Sequence, residues 1–181
     1  MYSINESNDA ALIERCQAGE TGSFEALVQN YQRGLFNIAL RMLGSYEDAR
    51  DATQTTFIKA YEHLDRFDPN RRFFSWIYRI LKNECLNILR ARRQSEPVPL
   101  DWPAAGVPDS VETGERKQAI QRALLALSDE YREVLVLRHF TELSYDEIAS
   151  TLGIPEKTVK SRLYTARQRL SELLIEWRVE R

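Results

Sequence analysis

Apolar residues recur at Phe24, Leu27, Val28, Tyr31, Leu35, Ile38 and Met42, spacings of three and four that turn one side of a helix toward a core. Gly44-Ser45 interrupts the pattern, and Ser45 is placed to cap a second helix with Asp48 three residues on. That helix is predicted over about 46–65, with Ala49, Ala52, Thr56, Phe57, Ala60 and Leu64 inward and Asp48, Asp51, Gln54 and Thr55 outward. Phe67-Asp68-Pro69-Asn70 then reads as a turn. From Phe73 to about Arg92 a further helix carries an apolar stripe of Ile77, Leu81 and Ile88, with Ile80 and Cys85 beside it. No strand-like alternation appears anywhere, so the predicted fold is all-α.

The far end of the chain repeats the helical period in a different arrangement. Ile120, Ala123, Leu124 and Leu127 share one face, and Ser128 can cap a helix holding Val134, Leu135, Leu137, Arg138 and Phe140. The run 143–170, LSYDEIASTLGIPEKTVKSRLYTARQRL, carries the signals of a helix-turn-helix. Ser144 and Glu147 form an S-x-x-E capping box at a helix start. Ala149 is small where two helices must approach, Gly153 permits the tight turn, and Pro155 suits the opening of the next helix. Val159, Leu163, Ala166 and Leu170 then face inward, opposite Lys157, Ser161, Tyr164 and Gln168.

Between these parts lies QSEPVPLDWPAAGVPDSVETGE, residues 94–115, which holds four of the six prolines and has no helical period. It is predicted to be a linker, with Trp102 as a large aromatic side chain that docks elsewhere. The chain divides accordingly into two small helical domains, 1–93 and 116–181. Domains this small bury only about 60% of their unfolded surface, so partners contribute to their stability.

Composition narrows the possibilities. Of 181 residues, 43% are hydrophobic and 29% charged, a globular balance. Cys16 and Cys85 are too few for a disulfide framework or zinc ribbon, and two histidines build no His-rich metal site. No apolar run is long enough to span a membrane, and the acidic N-terminus has no signal core, so a cytoplasmic protein is expected. No nucleophile–base pair or carboxylate constellation emerges, so no enzyme, cofactor or small-molecule substrate is expected.

The net charge of −2 hides alternating blocks. Residues 1–65 sum to −5, 66–93 to +6, 94–115 to −5 and 154–170 to +4. Each basic block is a local footprint suited to phosphate, while the acidic linker repels it. In the first block, Trp76, Arg79, Asn83, Asn87 and Arg90 share a helix face that joins an aromatic platform, cations and amides. Such a set can hold a backbone phosphate and stack or read an unpaired base. Taken alone, Trp76 reads first as a core residue. In the second block, a buried stripe backed by Lys157, Lys160, Arg162, Arg167 and Arg169 fits a major-groove reader.

Four segments, FEALVQNYQRGLFNIALRML, GSYEDARDATQTTFIKAYEHLDRF, FFSWIYRILKNECLNILRARR and the helix-turn-helix run, stand in the order and spacing of one family. The chain strongly resembles the extracytoplasmic-function (group IV) sigma factors of bacteria. The resemblance implies two helical domains, regions 2 and 4, joined by a flexible linker, acting in transcription initiation without catalysis. It implies that Asp48, Asp51, Gln54 and Phe57 dock on the β′ clamp helices of core RNA polymerase. It implies that the loop Phe67 to Arg72, with Asn70 and Arg71, accepts a flipped base of the −10 element. The Trp76, Arg79, Asn83, Asn87 and Arg90 face would contact the opened strand. Lys157, Thr158, Lys160, Ser161, Arg162, Tyr164 and Arg167 would read the −35 element, with the rest of that domain meeting the β flap. Promoter DNA, core polymerase and an anti-sigma factor, often membrane-bound, are the implied partners.

Departures from the family pattern bear on this site. Thr55 stands where an acidic residue is usual, and Thr53 and Thr56 replace larger apolar residues, which predicts a less stable docking helix. FDPNRR differs from the commoner glycine-containing loop, leaving open which base it takes. With no Cys/His cluster, the chain is not expected to sense metal or redox state itself. Two other readings of the residues stay open at this point: a stand-alone helix-turn-helix regulator binding a palindrome as a dimer, and a helical adaptor that binds only protein.

Overall fold

A computed structural model describes residues 8–94, 111–141 and 143–179, so the proline-rich stretch 95–110, with Trp102, lies outside the described residues. Among the described residues there are eight α-helices, one 3-10 turn and no strand. The first part contains α1 (Asp9–Gln17), α2 (Gly22–Leu43), α3 (Tyr46–Glu62), a 3-10 turn (Leu64–Arg66) and α4 (Phe73–Gln94). The second contains α5 (Val111–Ala126), α6 (Asp129–Phe140), α7 (Tyr145–Leu152) and α8 (Glu156–Val179). Helix α5 starts inside the stretch assigned to the linker; VETGER contains no proline, so nothing in it stops a helix from beginning there.

The first bundle follows the apolar stripes. Phe24, Leu27, Tyr31, Leu35, Ile38 and Met42 of α2 are buried, with Val28 half-buried. Gly44 ends α2 in the left-handed region (φ 70°) and returns its N–H to Leu40 O at 2.8 Å. Ser45 then caps α3, accepting the Asp48 N–H at 3.2 Å. Ala49, Ala52 and Ala60 let α3 pack closely on its neighbours. Thr53 and Thr56 are also buried, and each hydroxyl donates to the carbonyl four residues back, Ala49 and Ala52, at 2.7 Å. Their polarity is thus satisfied within the helix, at the modest cost of threonine in a helix interior. Helix α4 fills the centre with Phe73, Phe74, Ile77, Tyr78, Leu81 and Cys85. Helix α1 seats Leu12 and Ile13 on this bundle, and the Tyr31 hydroxyl donates to the Asp9 carboxylate.

The second half departs from a simple amphipathic hairpin at α6. Six consecutive residues, Arg132 to Leu137, are buried, because α6 lies between α8 on one side and α2 on the other. Ser128 precedes α6 but makes no side-chain cap; its carbonyl instead accepts the N–H groups of Tyr131 and Arg132. The Arg132 guanidinium donates to Leu124 O, Leu125 O and Leu127 O, and across to Met42 O, at 2.8–2.9 Å. One planar cation therefore satisfies carbonyls at the C-terminal ends of both α5 and α2, where the helix dipole favours positive charge.

The two halves consequently share one continuous core. Polar side chains stitch the seam. Glu133, 4% exposed, accepts the Tyr78 hydroxyl at 2.8 Å and the Lys82 ammonium at 2.7 Å. Gln121 accepts from Arg41 at 2.8 Å and donates to Arg41 O at 3.2 Å. Ser75 and Thr151 join hydroxyls at 2.9 Å, and Arg72 pairs with Glu147 at 2.9 Å.

Candidate nucleic-acid interface

Three surfaces carry the residues singled out by the sequence. The first lies along α3. Asp51 and Gln54 are exposed, as expected. Asp48 is not: its carboxylate is half-buried and bound by Arg92, whose other nitrogen donates to Leu43 O at 2.7 Å. The first turn of α3 attracts the acid and α4 brings the cation to meet it, which ties α3 to α4. Phe57 is buried, and with Val28, Phe36, Thr53 and Ile58 it lines a groove of about 530 Å³ between α2 and α3. Ile58, which lines the groove, and Tyr61, whose ring packs against Phe24, are half-exposed on α3 and were absent from the sequence-based site. Their signal was present as two large apolar residues lying off the buried stripe.

The second surface runs from the 67–72 loop along α4. Asp68 Oδ1 accepts both the backbone and side-chain N–H of Asn70 at 3.0 Å, folding the loop into an Asx turn. Those two hydrogen bonds, led by the backbone one, hold the Asp68 carboxyl below its usual range. Asn70 and Arg71 are exposed at the loop tip. Phe67 is not presented to solvent: it is 5% exposed and packs its ring 4.9 Å from Trp76 and 5.6 Å from Phe73. It props the loop from beneath. Trp76 is half-buried on the same aromatic cluster, so its outer edge meets solvent while its inner face is core. Arg79, Asn83, Asn87 and Arg90 are all exposed along α4, in one row with that edge. Arg72 differs, since Glu147 of α7 holds it.

The third surface is the helix-turn-helix. The capping box is complete: Ser144 Oγ accepts the Glu147 N–H at 3.2 Å, and Glu147 Oε2 accepts the Ser144 N–H at 2.7 Å. The Ser144 backbone N–H, aided by its hydroxyl and by Arg72, holds the Glu147 carboxyl below the ordinary value. Gly153 makes the turn at φ 67°, and Pro155 precedes α8, its carbonyl accepting the Thr158 N–H at 2.8 Å. Val159, Leu163 and Ala166 are buried and Leu170 half-buried. Lys157, Ser161, Tyr164, Arg167 and Gln168 are exposed on the opposite side, with Thr158 half-buried at its edge. Among the described residues Tyr164, at 66% exposure, is the most open of the exposed large hydrophobic side chains. Lys160 pairs with Glu156 at 2.8 Å, and Arg162 reaches back to Glu130 of α6 at 2.9 Å. Arg169 lies over the Tyr131 ring at 4.9 Å, a packing role more than a groove-facing one.

Chemically, the second surface offers cations, amides and a ring edge in a line, suited to a single strand. The third offers a polar and cationic helix face carried on a rigid turn, suited to a duplex groove. Two cations assigned to these surfaces, Arg72 and Arg162, are occupied by acids of α7 and α6. Among the described residues no helix is long and apolar enough to cross a membrane, and no His/Cys/Asp/Glu group is arranged to hold a metal ion.

Two stretches of the chain match models of known protein families. Residues 27–95 match Sigma-70 region 2, and residues 117–170 match Sigma-70, region 4. The chain is 35% identical to the ECF RNA polymerase sigma factor SigW of Bacillus subtilis, over 90% of this chain and 94% of that one. Its fold is similar to CnrH solved in complex with the cytosolic domain of CnrY (TM-score 0.76, 29% identity, 94% of this chain and 99% of that one). It is also similar to the sigma factor RpoE solved with the anti-sigma factor NepR from Bartonella quintana (TM-score 0.70, 29% identity, 83% and 96% covered).

Proposed function

The chain belongs to the extracytoplasmic-function sigma factors of RNA polymerase, and from that premise we propose how its own surfaces divide the work of initiation. Core polymerase takes the α2–α3 face: Asp51 and Gln54 supply polar contacts, and the groove walled by Phe57 and Ile58 receives an apolar ridge of the β′ clamp helices. Asp48 acts behind that face, by locking α3 to α4 through Arg92. Helix α8 enters the major groove of the −35 element, with Lys157 and Arg167 on phosphate and Ser161 and Tyr164 toward the bases. The loop tip, Asn70 and Arg71, takes an unpaired base of the −10 element, and Arg79, Asn83, Asn87 and Arg90 follow the strand.

The observation that carries this reading is the pair of exposed cationic helix faces, α4 and α8, on separate halves of an otherwise acidic chain. Each binds weakly alone, because phosphate contacts lose affinity steeply as salt rises. Polymerase holds them at a set span, and linking two weak contacts makes the pair selective for correctly spaced elements. Base capture offsets the unstacking cost, so melting proceeds without ATP and without a catalytic residue. Arg72 and Arg162 join the DNA contacts once Glu147 and Glu130 release them.

An anti-sigma factor is the regulatory partner in this reading, supported by the complex in which RpoE was solved. The work is cytoplasmic, and a membrane-held inhibitor would tether the chain there. The test is abortive transcription from a promoter library with added core polymerase. Initiation confined to promoters with paired −35 and −10 elements is expected; absence of specific initiation overturns the reading. Tight, salt-resistant binding of a palindrome by the chain alone would point to a stand-alone regulator instead.

A further inference from the structure

Gln17 closes α1, outside both segments that match the family regions. Its side-chain amide nitrogen lies 2.8 Å from Leu64 O and 2.8 Å from Phe67 O, so its two hydrogens are both used. These carbonyls bracket the 3-10 turn, a short element with poor internal hydrogen bonding. Phe67 is where the backbone leaves that turn in an extended conformation (φ −75°, ψ 133°) and enters the loop bearing Asn70 and Arg71. The loop root thus has two fastenings. The Phe67 ring is wedged against Phe73 and Trp76, and the Phe67 carbonyl is held by Gln17. Helix α1 is itself a firm anchor, since Leu12 and Ile13 are buried in the bundle.

We infer that Gln17 is a positioning residue for base capture: it sets the angle at which the 67–72 loop leaves the 3-10 turn and so where Asn70 and Arg71 meet an unpaired base. This rests on the assignment of that loop to the −10 element. Gln17 is exposed and fills no core volume, so its removal leaves no cavity. What it contributes is direction. A carboxylate of the same size would face two carbonyl oxygens and repel both; an asparagine would fall one methylene short.

The experiment uses the full chain with core polymerase and compares wild type, Gln17→Glu, Gln17→Asn and Asn70→Ala. Permanganate reactivity of unpaired thymines reads promoter opening, on promoters carrying each base in turn across the −10 element. Core affinity and thermal midpoint are measured in parallel. For Gln17→Glu, opening is expected to fall roughly tenfold, the scale of one or two lost hydrogen bonds. Base preference should flatten with it, while core affinity and −35 dependence stay at wild-type values; Gln17→Asn should show the same change in smaller degree. Wild-type base preference in Gln17→Glu overturns the inference, as does a loss of opening that only tracks core affinity or thermal midpoint. If Asn70→Ala shifts base preference and Gln17→Glu does not, this inference alone fails. If Asn70→Ala leaves the preference intact, the loop assignment fails and takes the inference with it.

Discussion

Several buried polar side chains find their partners in contrasting ways. Thr53 and Thr56 spend their hydroxyls on their own helix, whereas Arg132 spreads its donors over carbonyls of two others. The two thiols show burial acting on chemistry directly. Burial, and then the neighbouring Glu84, pushes the Cys85 thiol up to about 12; burial and Glu20 raise half-buried Cys16 more modestly. A raised thiol value means little thiolate in mildly alkaline solution, and thiolate is the reactive form. Alkylation near pH 8 should therefore label Cys16 slowly and leave Cys85 untouched until the chain unfolds, as mass spectrometry of timed samples would reveal. Rapid labelling of Cys85 in the native protein would contradict its burial.

Helices here begin and end where local chemistry dictates, and the helix-turn-helix depends on this most. Ser144→Ala removes the acceptor for the Glu147 N–H and should lower stability by about 1 kcal/mol in urea unfolding. Glu147 adds a pH signature. Its folded value lies below the ordinary 4.5, so its contribution is present above that value and is lost as pH falls through the lower folded one. Glu147→Gln should flatten the acid side of the stability profile relative to wild type, with no comparable change in slope near neutrality. An unchanged acid limb would show that the carboxylate's charge contributes nothing there.

At the scale of the whole molecule, the halves are coupled through α6. Glu133 is almost wholly enclosed between Tyr78 and Lys82 of the other half. Glu133→Ala leaves a buried hydroxyl and an ammonium facing a hole, at a cost of about 2–3 kcal/mol; Lys82 is partly exposed, which places the figure below that of a fully buried pair. Because the core is continuous, wild type should melt in one calorimetric transition. The variant should separate into two, since the seam weakens while each helical cluster keeps its own stripe. A single transition merely shifted downward would mean that neither half is stable without the other.

All-helical character, the stripes of α2, α3 and α4, the cap at Ser45, the capping box and the turn at Gly153 were determined by the sequence itself, because each depends on residues within one or two turns of each other. The cationic faces of α4 and α8 were legible for the same reason: helical spacing alone places Arg79, Asn83, Asn87 and Arg90, or Lys157, Ser161 and Tyr164, on one side. Only tertiary structure decided that Phe67 is a prop, that Asp48 is bound by Arg92, and that Arg72 and Arg162 are held by acids from α7 and α6. It also decided that Gln17 reaches a turn 47 residues away. These partners are distant in sequence, and no local period records which charges or amides packing will bring together.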